Sequence, residues 1–198
     1  MASQEQGLLV VISGPSGVGK TTIVHRVREA FDAVFSVSAT TRPKSEKEID
    51  GTDYFFITNE EFQKKIDADS FLEHAEVFGC HKYGTLRNQV NEVLRAGRVI
   101  LLDIDVQGGM QIRDNMKESI RIFILPPSEE ELLRRLEARG REDRDSIQRR
   151  FREAQQEIKL SQQSGAYEYF ITNDNLKLAV EETIAIIKNS RNEAASSS

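Results

Sequence analysis

With one cysteine, Cys80, the chain can form no internal disulfide. That points to a reducing compartment and leaves Cys80 as a loop residue rather than a redox centre. A cationic surplus is also missing. Lys and Arg number 27 against 32 Asp and Glu, a net charge of −5. This excludes a general nucleic-acid or membrane-surface binder, because either needs a positive face. The first apolar run, Leu8 to Ile12, is too short for a bilayer span or for the apolar segment of a secretion signal. There is no internal repeat and no linker long enough to separate two domains. A cytoplasmic protein of one compact α/β domain is therefore expected over residues 1–198, at 38% hydrophobic and 30% charged residues well away from a disordered composition.

What is present begins with buried-strand patterns. Leu8 to Ser13 (LLVVIS), Val99 to Ile104 (VILLDI) and Arg121 to Leu125 (RIFIL) are continuous apolar runs of strand length, and Tyr169 to Thr172 is a shorter one. Between them, helical spacing puts Ile23, Val27 and Ala30 on one face of Thr21 to Phe31. It does the same for Val90, Val93 and Leu94 in Leu86 to Ala96, which Gly97 stops. Ser128-Glu129-Glu130-Glu131 reads as a capping box opening a helix to about Ala138, and Asn175 to Lys188 as a closing helix. Strands alternating with helices imply a central, mostly parallel sheet covered on both faces. Residues 36–77 break the rhythm with short pieces around Tyr54-Phe55-Phe56-Ile57 and Phe71-Leu72, the pattern of a small β-rich insertion. Residues 134–152 concentrate eight arginines among acidic residues. The interleaved acids, with no exposed aromatics expected to accompany them, speak against a basic RNA-binding helix.

Gly14-Pro15-Ser16-Gly17-Val18-Gly19-Lys20-Thr21 matches G-x-x-x-x-G-K-[ST] between the first buried strand and the first helix. Glycines let the backbone wrap close to phosphate oxygens, and the helix N-terminus adds partial positive charge. Lys20 can reach the β- and γ-phosphates of ATP, and the Thr21 hydroxyl, followed by Thr22, can ligate Mg²⁺. A nucleoside-triphosphate site is expected here. Asp103 and Asp105 end an apolar strand, where an open α/β sheet presents its ligands. Asp103 stands where a Walker-B acid would support Mg²⁺ through water.

Ser36-Val37-Ser38-Ala39-Thr40-Thr41-Arg42-Pro43, then Glu48-Ile49-Asp50-Gly51-Thr52-Asp53-Tyr54, Phe71-Leu72-Glu73-His74-Ala75-Glu76, Tyr83-Gly84-Thr85 and Asp103-Ile104-Asp105-Val106-Gln107-Gly108 follow in order. With the P-loop and the arginine segment, these motifs resemble the guanylate kinase family over roughly Leu8 to Leu176. The resemblance implies a P-loop kinase that moves the γ-phosphate of ATP onto GMP, with dGMP as a further acceptor and Mg²⁺ accompanying ATP. It implies a core (7–35, 86–127 and 165–190), a GMP-binding lobe at about 36–85 and a helical lid at about 128–164. Either a monomer or a homo-oligomer is compatible, with no nucleic acid or membrane as partner.

By the same resemblance Arg42, Tyr54 and Tyr83 hold the GMP phosphate, and Ser38, Glu73, Thr85 and Asp105 read guanine. A guanidinium fork suits phosphate. A carboxylate can accept from the N1–H and N2–H₂ donors that adenine lacks. Read without the resemblance, Arg42 could be a surface residue of a Thr/Pro turn, Tyr54 strand packing and Glu73 a solvated strand residue. The lid places Arg135, Arg139 and Arg150 at the transferring phosphate, with Gly140 to Asp143 as its turn, and Asn173 as an adenine contact. Lid and lobe are expected to stand open until the substrates arrive. The chain departs from the family at Ser45, where a second phosphate-binding arginine is usual, with Lys44 or Lys47 as substitute charges. It also departs in a loop one residue longer before Tyr83. A non-catalytic guanylate-kinase-like scaffold module and a kinase for another small acceptor are the competing readings. Retention of Lys20 and the lid arginines opposes the first, and the Ser38, Glu73 and Asp105 set opposes the second.

Overall fold

A computed structural model describes residues 7–77, 80–138 and 143–196. At the centre lies β1 (Leu8–Ser13), buried at every position. It is flanked by β7 (Val99–Asp103) and β8 (Ile120–Leu125), and β2 (Val34–Phe35) and β9 (Tyr169–Thr172) complete a five-stranded sheet in the order β2-β7-β1-β8-β9. Every pairing in it is parallel. Leu8, Val10 and Ile12 face Ile23 and Val27 of α1 (Lys20–Phe31) and Ala179 and Ile187 of α7 (Leu176–Ser196). Leu9 and Val11 face the opposite layer, Val90 of α3 (Arg87–Arg95) and Ile112 of α4 (Val106–Asn115). Each such side chain contributes about 1.5–3 kcal/mol by leaving water. Burial on both faces is why β1 reads as an unbroken apolar run.

A second sheet of four strands is ordered β4 (Phe55–Phe56), β3 (Ala39–Thr40), β6 (His81–Leu86), β5 (Phe71–Val77). It has its own small core of Ala39, Phe62 and Phe71, with Phe62 supplied by α2 (Asn59–Asp67). Two further helices, α5 (Glu129–Ala138) and α6 (Arg144–Ser164), pack on each other through Leu132, Leu136 and Ala154.

The central parallel sheet and the β-rich insertion match the sequence reading. Several elements differ in detail. Only half of the expected capping box forms at Ser128: its Oγ accepts from Glu131 N, while the Glu131 carboxylate turns to Arg134 and Arg135. The complete box stands at Thr58, whose Oγ1 accepts from Glu61 N while Glu61 accepts from Thr58 N. Tyr54 lies outside the short strand β4 and only bridges Asp50. Helices α2 and α4 have no counterpart in the sequence reading.

Candidate active site

The P-loop joins the end of β1 to α1. Gly14, Gly17 and Gly19 all have positive φ, and at Gly19 (φ 93°) any side chain would also be strained against Asn173. Gly14, Pro15, Ser16, Gly17, Gly19, Lys20 and Thr21 line one wall of a cleft of about 280 Å³, faced by Asp103, Asp105 and Glu157. Lys20 Nζ pairs with Asp103 Oδ1 at 2.7 Å. The loop's cation is thus held by the strand-end carboxylate. Val18 and Thr22 do not line this cleft. The Val18 side chain is fully buried in the core, and Thr22 lies in the first turn of α1 with its N–H donated to Gly19 O.

Asn173 is placed differently from the sequence expectation. It is 4% exposed, and its Nδ2 donates to Val18 O at 2.7 Å. Its amide therefore supports the P-loop from below instead of facing a nucleotide base. Arg135 bridges the same region, with Nε on Glu131 and Nη2 donating to Asn173 O at 3.0 Å. The two arginines beside it draw the Glu131 carboxyl down to about 2, Arg134 more than Arg135. From α6, Arg150 donates to Ser16 Oγ, so the lid helix rests on the loop. Arg139, and Gly140 to Glu142 of the expected lid turn, lie outside the described residues.

A second cleft opens on the other side of Asp103, lined by Ser38, Tyr54, Thr85 and Asp53 among others. Asp103 belongs to both clefts. Thr85 stands opposite Glu73 across the β5–β6 pair, next to a register shift between Phe71 and Glu73 that turns Glu73 inward. Glu73 is 6% exposed, and its Oε1 accepts from Thr85 Oγ1 at 2.6 Å. Burial pushes its carboxyl up to about 7 despite that hydrogen bond, with Asp105 adding to the rise. Asp105 caps α4, accepting from Gly108 N at 2.8 Å, and Gly108 leaves room for the Glu73 carboxylate.

Arg42 lies 5.4 Å from the Tyr54 ring centroid and 5.6 Å from that of Phe56. Tyr54 and Tyr83 meet edge to face at 5.8 Å. The structure thus brings Arg42, Tyr54 and Tyr83 together, and separately Glu73, Thr85 and Asp105. Of the two possible substitutes for the missing arginine, Lys44 Nζ donates to Glu48 O at 2.8 Å, while Lys47 is exposed. Sequence reasoning missed Glu48, which holds Arg42. It also missed Glu157, a half-buried acid on α6 that burial pushes up to about 7, with Lys20 opposing and Asp105 and Glu153 assisting. Glu48 opens the Glu48-Ile49-Asp50-Gly51 motif, but nothing in the local sequence gives it this role or marks Glu157.

Comparison with known proteins points to a single family. A family model described as guanylate kinase matches residues 6–190. The guanylate kinase of Clostridium tetani (strain Massachusetts / E88) is 46% identical over 183 residues, covering 92% of this chain and 86% of that protein. That of Anaeromyxobacter dehalogenans (strain 2CP-C) is 46% identical over 194 residues, covering 96% and 84%. Among solved structures, the crystal structure of guanylate kinase from Anaplasma phagocytophilum superposes with a TM-score of 0.70 at 32% identity, covering 94% of this chain and 87% of that one.

Proposed function

The chain belongs to the guanylate kinase family, and from this we infer an ATP:GMP phosphotransferase that joins the γ-phosphate of ATP to the phosphate of GMP, giving ADP and GDP. The observation that carries the reading is the meeting of two clefts at Asp103, one walled by the P-loop and the other by Thr85 with Glu73 behind it. A donor phosphate in the first cleft and an acceptor phosphate in the second would approach each other at that strand end. The acceptor oxygen is already anionic, so no general base is needed. The protein's task is to position the two phosphates, neutralise their charge and keep water out.

In this reading the P-loop amides cradle the β- and γ-phosphates, and Lys20 exchanges Asp103 for the transferring phosphate. Arg150 on α6, with Arg135 and Arg139 of the lid, neutralises charge as it develops. Asn173 acts as a positioning residue beneath the loop. Mg²⁺ fits the donor set, since Thr21 and Asp103 offer hard oxygen ligands on the cleft. Bound with ATP, it neutralises the phosphate oxygens and orients them. Arg42, Tyr54 and Tyr83 take the GMP phosphate. Ionised Glu73 accepts from guanine N1–H and N2–H₂, while Thr85, Ser38 and Asp105 complete the edge. These base contacts leave the sugar 2′ position unread, so dGMP is a second acceptor. The functional units are the core around the parallel sheet, the lobe at about 36–85 and the lid at about 128–164, in a cytoplasmic enzyme. No helix among the described residues is long and apolar enough to cross a membrane.

The test is coupled ADP release with ATP and each of GMP, dGMP, AMP, CMP, UMP and dTMP. GMP is expected to exceed AMP by at least ~10³ in kcat/KM, because AMP leaves the buried carboxylate unpaired. Comparable rates with AMP, CMP or dTMP would refute the acceptor assignment.

A further inference from the structure

Arg42 is the one cation that the acceptor reading assigns to the GMP phosphate, and in this structure it is already engaged. Its Nη1 donates to Glu48 Oε2 at 3.0 Å and its Nη2 to Glu48 Oε1 at 2.6 Å, a two-pronged pair of the kind a phosphate would make. Nη1 also donates to Pro43 O at 3.0 Å. The rings of Tyr54 and Phe56 lie against the guanidinium, whose N–H donors all point outward in its plane. The end-on edge is taken.

Glu48 is well held for this role. Its Oε2 also accepts from Ser45 N at 2.8 Å, and Lys44 Nζ is tied to its backbone carbonyl at 2.8 Å. The pairing with Arg42, and then the Ser45 backbone, keep its carboxyl down at about 2, so it carries its charge throughout the working pH range. Arg42 and Glu48 therefore cancel. An arriving dianion meets hydroxyl groups and a neutralised fork, with a carboxylate inside hydrogen-bonding distance of the place it needs.

We infer that Glu48 is a specificity-determining residue that stands in for phosphate on the Nη1/Nη2 edge of Arg42, and that GMP displaces it from that edge on binding. This rests on the acceptor reading above and deepens it. Displacement makes the site selective for linked ligands. A free anion has only the exchange at Arg42 to drive it and gains little, whereas GMP brings guanine to Glu73 and Thr85 and uses that binding to drive the exchange. Ser45 matters to the arrangement because it offers Glu48 a backbone N–H and no cation. Glu48 N donates to Ser45 O at 3.2 Å, a turn that brings position 45 beside the Glu48 carboxylate. A cation placed there would compete with Arg42 for Glu48 and release the fork.

The experiment is calorimetric titration of the full chain, wild type, Glu48→Gln and Ser45→Arg, with GMP, guanosine and inorganic phosphate. Both variants are expected to bind GMP and inorganic phosphate about fivefold more tightly, the size of a solvent-facing ion pair, with guanosine affinity unchanged. Ser45→Arg also adds a cation that can bind the phosphate directly, so Glu48→Gln decides, with Glu48→Ala in its place if Glu48→Gln fails to fold by circular dichroism. Unchanged or weaker GMP binding in the folded variants would overturn the inference and leave Glu48 as a brace for Arg42. A change in guanosine affinity equal to that in GMP would overturn it as well, since the effect would not be at the phosphate. Wild-type protein that binds neither GMP nor guanosine would instead overturn the acceptor reading, and this inference with it.

Discussion

Glu73 is asked to satisfy two opposed demands. To read guanine it must be ionised, yet burial holds its carboxyl at about 7, far above the ordinary 4.5. A carboxyl raised on folding stabilises the fold below about pH 4.5, and that contribution is lost as pH rises through about 7. At ~1.4 kcal/mol per unit the loss is on the order of 3 kcal/mol for Glu73, and Glu157, also raised to about 7, acts with the same sign. The protein is therefore expected to melt at lower temperature at pH 8 than at pH 6, with Glu73→Gln flattening part of that slope. Binding runs the other way. Guanosine has no phosphate to titrate, and its affinity should rise about tenfold from pH 6 to pH 8 as the carboxylate ionises. Glu73→Gln should abolish that rise and increase the KM for GMP about 10- to 100-fold through loss of a charge-assisted acceptor. Calorimetric titration at both pH values checks this, and a guanosine affinity that falls toward pH 8 would refute it.

Among the elements, α4 links the two clefts. Its cap, Asp105, lines the donor side, and Gly108 in its first turn lies against Glu73 on the acceptor side. Gly109 is tighter still. A Cβ there would sit 2.1 Å from Tyr167 Oη and 2.7 Å from its Cζ. Tyr167 is 6% exposed, with its ring against Phe123 and Phe170, so it has nowhere to retreat. Gly109→Ala is expected to cost ~1–3 kcal/mol by overpacking, a fall of about 2–12 °C in Tm, and to raise the KM for GMP as the start of α4 shifts. A thermal melt and the coupled assay check both, and an unchanged Tm would mean that α4 gives way freely. The same glycines explain why α4 was not legible in the sequence. Each lowers helix propensity by ~1 kcal/mol relative to Ala, and Asp105 looked like a site residue rather than a cap. β1, the P-loop and α1 were legible because an apolar run, a spaced glycine motif and helical periodicity coincide there. Glu48 and Asn173 were not, because their roles depend on partners that the turn geometry or the tertiary fold supplies. The partner of Asn173, Val18, is 155 positions away in sequence.

For the whole molecule the question is which part moves. Transfer requires the two phosphates in line and dry, yet both substrates enter from water. The expectation from sequence is that GMP draws the acceptor lobe toward the core and ATP brings the arginine lid down. The two sides of the structure differ. On the donor side α6 already reaches the P-loop through Arg150 and Ser16, and α5 is tied to the end of β9 through Arg135 and Asn173. On the acceptor side Arg42 is turned to Glu48 within its own lobe and makes no contact with the P-loop among the described hydrogen bonds and ion pairs. Closure should therefore come mainly from the lobe built on the four-stranded sheet, and GMP should drive it. A compact chain of this length has a radius of gyration of about 16 Å. Small-angle scattering is expected to show most of the contraction with GMP alone, little with Mg-ATP alone, and the smallest radius with a bisubstrate analogue such as Ap5G. If Mg-ATP alone produced the full contraction, the lid and not the lobe would be the moving part. A profile unaltered by Ap5G would show that both substrates enter a scaffold that does not close.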